Sequence, residues 1–272
     1  MYYLILHEIG HTLGLNHNMK ATQLLGADEV FDGDVVDTVL AGSVMDYPAV
    51  NFAPKGTKQT LFYTIAPGPY DDWAIQFGYA PEMDDPEVRD AHLARSTEPE
   101  LAFGNDADDM RSAGKAIDPR VNIYDMSSDA IGYASTRMTQ IGDALEKLPE
   151  TLPSPGESYQ ETHDVFATLM RSWARSASVV SRYVGGVQVN RAMVGQPGGG
   201  EAYTVIDAGT QRRAMQVLTD QVFAPDVLDP ASGAYRYLAQ QRRGFNFFGS
   251  NTGSANLSTE PPDAPVCDEA SQ

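Results

Sequence analysis

Near the start of the chain, His7, Glu8, His11 and His17 have the types and spacing to hold and use a metal ion; they sit in His7-Glu8-Ile9-Gly10-His11-Thr12-Leu13-Gly14-Leu15-Asn16-His17. Residues four apart share a helix face, so His7 and His11 can present both imidazoles to one cation while Glu8 projects beside them. A residue without Cβ enters the left-handed conformation that ends a helix, so Gly14 lets the chain reverse and bring His17 back as a third ligand. Three neutral imidazoles suit zinc and leave a position for water, whose pKa then falls to roughly 7. Glu8 is placed to take the proton from that water as it attacks a carbonyl and to pass it to the leaving amine.

A bare pair of histidines on one helix is common in surfaces and cores. Here Gly14 and His17 follow, and downstream comes Gly42-Ser43-Val44-Met45-Asp46-Tyr47-Pro48. Together these resemble the metzincin metallopeptidases, in which the long zinc motif is followed by a tight turn with a methionine beneath the metal. The resemblance implies one catalytic zinc on His7, His11 and His17, Glu8 as general base and acid, and Met45 packing under the site without binding. It also implies that Tyr47, two places after the methionine as in the astacin and serralysin branches, is an extra, displaceable ligand that stabilises the transition state.

A wider set of segments, His17-Asn18, Asn51-Phe52-Ala53-Pro54, Gly68-Pro69-Tyr70-Asp71-Asp72-Trp73-Ala74-Ile75 and Phe77-Gly78-Tyr79, resembles a family of large bacterial zinc-dependent metalloproteases. In that family the module lies behind long N-terminal regions and an export signal. The implied partners are a peptide or protein substrate and the upstream domains of a parent protein, and the implied location is outside the cytoplasm. By the same resemblance, Pro48 to Asn51 forms a wall of the pocket for the residue after the scissile bond. A non-catalytic, zinc-stabilised binding module is the alternative; a purely structural zinc needs a fourth protein ligand and has no use for Glu8.

These residues need elements to position them. The chain has 272 residues, 42% of them hydrophobic, which is ordinary for a soluble globular protein. Its 19 basic and 37 acidic residues give a formal net charge of −18, which repels phosphate backbones and so excludes nucleic acid as a partner. No stretch is long and apolar enough to span a membrane. Cys267 is the one cysteine, so no internal disulfide can form. Met1 to Leu6 is too short for a secretory signal and runs directly into the zinc helix, so the start reads as a cut. Tyr2, Leu6, Ile9 and Leu13 form an apolar stripe expected on the side away from the ligands. In metzincins that stripe is covered by an upstream sheet, whose edge strand also holds substrate. The 272 residues alone are therefore expected to bind zinc weakly, cleave peptides poorly, and self-associate through the first helix or leave it mobile.

The expected fold is mainly α with at most a small sheet. Residues 1–82 read as active-site helix, Met-turn and pocket wall, 83–249 as a helical subdomain, and 250–272 as a disordered tail. Asp71 or Asp72 should cap a short helix stopped by Gly78, and a helix around Pro86 to Arg95 follows. Asp129 should cap a helix to about Leu148 with Ile131, Met138, Ile141 and Leu145 inward, ended by Pro149, Pro153 and Pro155. Tyr159 to Val184 is the strongest amphipathic segment, with Val165, Phe166, Leu169, Met170, Trp173, Ala177, Val180 and Val184 at helical steps. Val187 to Val189 reads as a short strand, Gln196 to Gly200 as an exposed loop, and Thr210 to Phe223 as a helix with Ala214, Met215, Leu218 and Val222 inward. The carboxylates around Asp28 to Asp37 and Asn105 to Asp129 lack the ligand spacing of an EF-hand and read as solvated loops and caps, which disfavours calcium. His92 and His163 have no motif partners and read as structural.

Overall fold

The structure, a computed structural model, describes residues 1–109 and 117–240. It is mainly α-helical, with one two-stranded sheet. The expected tail from residue 250 and Cys267 lie outside the described residues. The chain divides into two compact units. The first joins Met1–Arg137 to Arg175–Val222, and the second joins Met138–Ala174 to the segment from Phe223 onward. The metal-ligand motif belongs to the first.

Helix α1 (Tyr2–Thr12) carries His7, Glu8 and His11. Its buried residues are His7 and Gly10, so the helix packs by its ligand-bearing side, and Tyr2, Leu4, Ile5, Ile9 and Leu13 are exposed. Of the apolar stripe read from the sequence, only Leu6 is half-buried. After α1 the chain passes through irregular segments to helix α2 (Pro69–Tyr79). This helix starts earlier than Asp71 or Asp72 would have it. Gly68 is the N-cap and Pro69 the first helical residue, where a missing N–H costs nothing. Gly78 does not stop it. Ala80 turns extended ahead of Pro81, whose ring disfavours a helical residue before it. Helix α3 (Pro86–Ala94) follows, capped by Asp85, and then the short helix α4 (Asp106–Asp109).

Helices α5 (Ala130–Thr151) and α6 (Gln160–Ser181) are the longest, and the division between the units falls within each. Asp129 accepts from Gly132 N at 3.1 Å at the start of α5, and Ile131, Met138, Ile141 and Leu145 are buried as their spacing requires. The helix continues past Pro149 to Thr151; a proline so near the end removes a single ladder bond. In the second unit Ile141, Leu145 and Ala231 are packed by Phe166, Leu169, Met170 and Trp173. Val184 lies beyond the end of α6 and is exposed, contrary to its place in the periodic pattern. Strand β1 (Val187–Val189) pairs antiparallel with β2 (Tyr203–Val205), a partner the sequence reading did not identify. Helix α7 (Ala208–Leu218) buries Ala214 and Leu218, leaves Met215 exposed, and is followed by a wider π-turn from Thr219 to Phe223. Helix α8 (Asp229–Ser232) closes the described elements.

One buried carboxylate ties several of these segments together. Asp118 accepts from Arg120 Nη2 at 2.8 Å and Val189 N at 3.0 Å, and Lys20 Nζ lies 3.5 Å away. Burial pushes its pKa up, but the bonds from Arg120 and the charges of Lys20 and Arg120 outweigh it and hold the carboxyl below its usual range. A carboxyl depressed in the folded state adds stability above its unfolded pKa, and that stability is lost as pH falls through the folded value. Asp118→Asn leaves buried Lys20 unpaired and should cost roughly 3 kcal/mol near neutrality. In urea melts the difference from wild type should shrink below about pH 4; a constant difference would show that the ion pair is not its source.

Candidate metal centre

His7, His11 and His17 come together. One ring nitrogen from each lies within 4.8 Å of the others. His7 is buried, His17 half-buried and His11 exposed, so the group opens to solvent on one side. Gly14, at φ +89°, makes the reversal that brings His17 back beside the helix.

The protons of the rings follow from their partners. His7 Nδ1 lies 2.8 Å from Val44 O and His11 Nδ1 lies 3.0 Å from Leu15 O. His17 Nδ1 lies 2.6 Å from Asp106 Oδ2. Carbonyl and carboxylate oxygens only accept, so each Nδ1 donates and each Nε2 is left with an unshared lone pair. His11 Nε2 and His17 Nε2 then face each other at 3.1 Å, two acceptors with no proton between them. His7 Nε2 is buried without a hydrogen-bond partner among the described residues. Burial holds His7 below the usual imidazole pKa, and the neighbouring imidazoles add to this, which favours the neutral form that binds metal. Three converging lone pairs and one orphaned buried nitrogen fit a single zinc ion.

Tyr47 completes the cluster. Its hydroxyl donates to His17 Nε2 at 3.0 Å, and its ring centroid stands 4.8 Å from that of His7. Glu8 is exposed, adjacent to His7 on α1, with no hydrogen bond among the described residues. Met45 is fully buried and lies under the helix, against Gly10; a Cβ built at Gly10 would stand 2.2 Å from Met45 Sδ.

The turn from Ser43 to Tyr47 is held by a residue whose role the sequence reading placed elsewhere. Asp71, expected as a helix cap, instead uses its carboxylate across the fold as well as on its own helix. It accepts from Ser43 Oγ at 2.5 Å and Val44 N at 2.8 Å, and from Gly68 N at 2.8 Å. Burial raises its pKa despite these bonds. Val44 O, fixed in this way, is the acceptor that orients His7. Asp46 is also buried; it accepts from Tyr47 N at 2.6 Å and Thr22 N at 3.1 Å, and burial, reinforced by the charge of Asp125, holds its carboxyl well above the usual range. Tyr3 donates to Asp46 O from α1.

Asn18, directly after His17, is fully buried and fixes the third ligand from behind. Its N–H donates to Met45 O at 3.0 Å, its amide to Ala102 O at 3.0 Å, and its Oδ1 accepts from Gly104 N at 3.2 Å. Asp106 and Asn18 were not singled out as site residues from the sequence. Asp106 sits in a run of acidic residues that reads as a solvated loop, and only the fold carries it to His17. His92 stacks on Trp73, and its Nε2 lies 2.9 Å from Trp73 O.

The sequence model of one family, DUF4953, described as Met-zincin, matches residues 1–260. No curated protein and no solved structure matches the chain.

Gly10 provides the closest test of this packing. Gly10→Ala drives a methyl into Met45, so the turn or the helix must shift, and with it the spacing of His7 and His11. Zinc affinity should fall at least about tenfold, the scale seen when support around a ligand is lost. Unchanged affinity by chelator competition would mean that Met45 does not set the ligand positions.

Proposed function

Because the chain belongs to the Met-zincin family, we propose that it is a zinc metallopeptidase module that hydrolyses peptide bonds at the His7, His11 and His17 centre. The observation that carries this reading is the arrangement of the rings. Every Nδ1 is tied to an oxygen, which leaves each Nε2 lone pair for a cation, with only that of His17 met by a donor, the Tyr47 hydroxyl. Zinc held there would polarise a carbonyl and lower the pKa of a bound water to roughly 7.

The chain's own residues do the rest. Glu8 is exposed and adjacent to the first ligand, and serves as the base that removes the proton of the attacking water and returns it to the leaving amine. Tyr47 is a donor in waiting. Its hydroxyl now rests on His17 Nε2; released from that nitrogen, it can donate to the oxygen on which negative charge develops. Among the His, Cys, Asp and Glu side chains of the described residues, three converge in the metal-binding group and no fourth joins them. That number leaves a position for the reacting groups and favours catalysis over a purely structural zinc. The resemblance that supports this reading makes Pro48 to Asn51 a wall of the pocket for the residue after the scissile bond, and Tyr47 stands at the start of that segment.

Two variants test the roles separately, in the longest active form of the protein. Glu8→Ala should keep zinc stoichiometry near one while removing at least about a hundredfold of turnover on a quenched peptide library, the scale of a general base. Retained turnover would exclude Glu8 from the chemistry. Tyr47→Phe should lower kcat by about a hundredfold, as loss of an oxyanion donor does, with KM changed far less. A rise in KM alone would assign Tyr47 to substrate binding instead.

A further inference from the structure

Of the three ligand rings, two are oriented by uncharged backbone carbonyls, those of Val44 and Leu15. The third is oriented by an anion. Asp106 Oδ2 stands 2.6 Å from His17 Nδ1, a distance that marks a strong, charge-assisted bond. The Asp106 side chain is 56% exposed, so it contributes little to the core, yet its backbone is placed with care. The segment before it is laced to the residues after His17: Met19 donates to Gly104 O at 2.6 Å, and Asn18 bonds both Ala102 and Gly104. The segment after it turns on itself, with Ala107 N donating to Asn105 Oδ1 at 2.9 Å and Asn105 N to Asp108 Oδ2 at 3.1 Å. Asp108 also pairs with Arg191, next to the β1 strand. Asn105 and Asp108 thus hold short helix α4 in place, and the side chain it presents to the metal group is Asp106.

We infer that Asp106 is a positioning residue for the metal centre, whose carboxylate accepts the Nδ1 proton of His17 and fixes the tautomer that turns Nε2 toward the cation. The inference rests on the proposed zinc reading and deepens it. His17 needs such a partner more than the others do. His7 and His11 share the rigid frame of α1, whereas His17 follows a glycine turn and has no helix of its own. A carboxylate behind the ring also makes Nε2 a better donor to the metal, which a neutral carbonyl does less well.

The test uses the full chain with zinc alone as probe and chelator competition as readout, so it needs no turnover. Wild type should bind one zinc. Asp106→Ala should bind one zinc about ten- to a hundredfold more weakly, the cost typical of losing a partner behind a ligand, and Asp106→Glu should recover most of that loss. The melting temperature of the zinc-free protein should be the same for all three, and with cobalt in place of zinc the Ala variant should show a shifted ligand-field spectrum. Equal affinity for wild type and Asp106→Ala, or a loss that Asp106→Glu does not recover, would overturn the role of Asp106. A drop in the zinc-free melting temperature matching the affinity loss would overturn it as well, by making the effect structural. Failure of the wild type itself to bind zinc would instead overturn the metal reading beneath it.

Discussion

Lone pairs repel. The cluster at His7, His11 and His17 brings three of them into one small space with only the Tyr47 hydroxyl to lend a proton, and the surrounding structure has to hold them there until a cation arrives. It does so by giving each ring's other nitrogen an oxygen that it cannot leave cheaply, since an unpaired donor in a partly buried site costs about 1–3 kcal/mol. The three oxygens come from three separate parts of the chain: the Met45 turn, the reversal after α1, and α4. The centre is therefore assembled by the fold of the first unit, and its preorganisation is that of the elements behind it.

Those elements form a short sequence of dependencies. Asp71 at the start of α2 holds Ser43 and Val44, Val44 O holds His7, and Met45 packs into the gap that Gly10 leaves on α1. Gly68 must be bare for the same reason. A Cβ there would stand 2.3 Å from Gly42 O, where α2 meets the bend that leads into the turn. Asn18 joins the turn to the segment that carries Asp106. A helix that buries His7 and Gly10 and exposes Ile9 and Leu13 is what results when ligand geometry, not apolar periodicity, decides which side faces inward.

This difference explains what could be read in the sequence. His7, Glu8 and His11 are legible because their spacing is set by helix geometry, and His17 because Gly14 announces a turn. Met45 and Tyr47 are legible only through resemblance to a motif, since nothing in composition brings residue 45 beneath residue 10. Asp71 shows a local capping signal, but its bond to Ser43 spans 28 positions, and that of Asp106 to His17 spans 89. Contacts at that range are fixed by tertiary packing, so an acidic loop and a second-rank ligand partner look alike in one dimension. The long helices were plain from periodicity, and their ends were less so because a proline near a C-terminus or a glycine inside a helix is tolerated at small cost. Strand β2 was missed although Tyr203-Thr204-Val205 carries the β-branched and aromatic residues of a strand; it is three residues long and follows a glycine-rich loop.

The central claim is that, among the described residues, the Nε2 atoms of His7, His11 and His17 are arranged for one cation, with no fourth His, Cys, Asp or Glu beside them. Anomalous diffraction at the zinc edge from crystals of the zinc-loaded protein measures this directly. A single zinc bound by Nε2 of His7, His11 and His17 at about 2.0–2.1 Å, with Asp106 still on His17 Nδ1, is the predicted result. Zinc bound through an Nδ1, taken up by Asp106 in place of His17, or found away from these residues would contradict it.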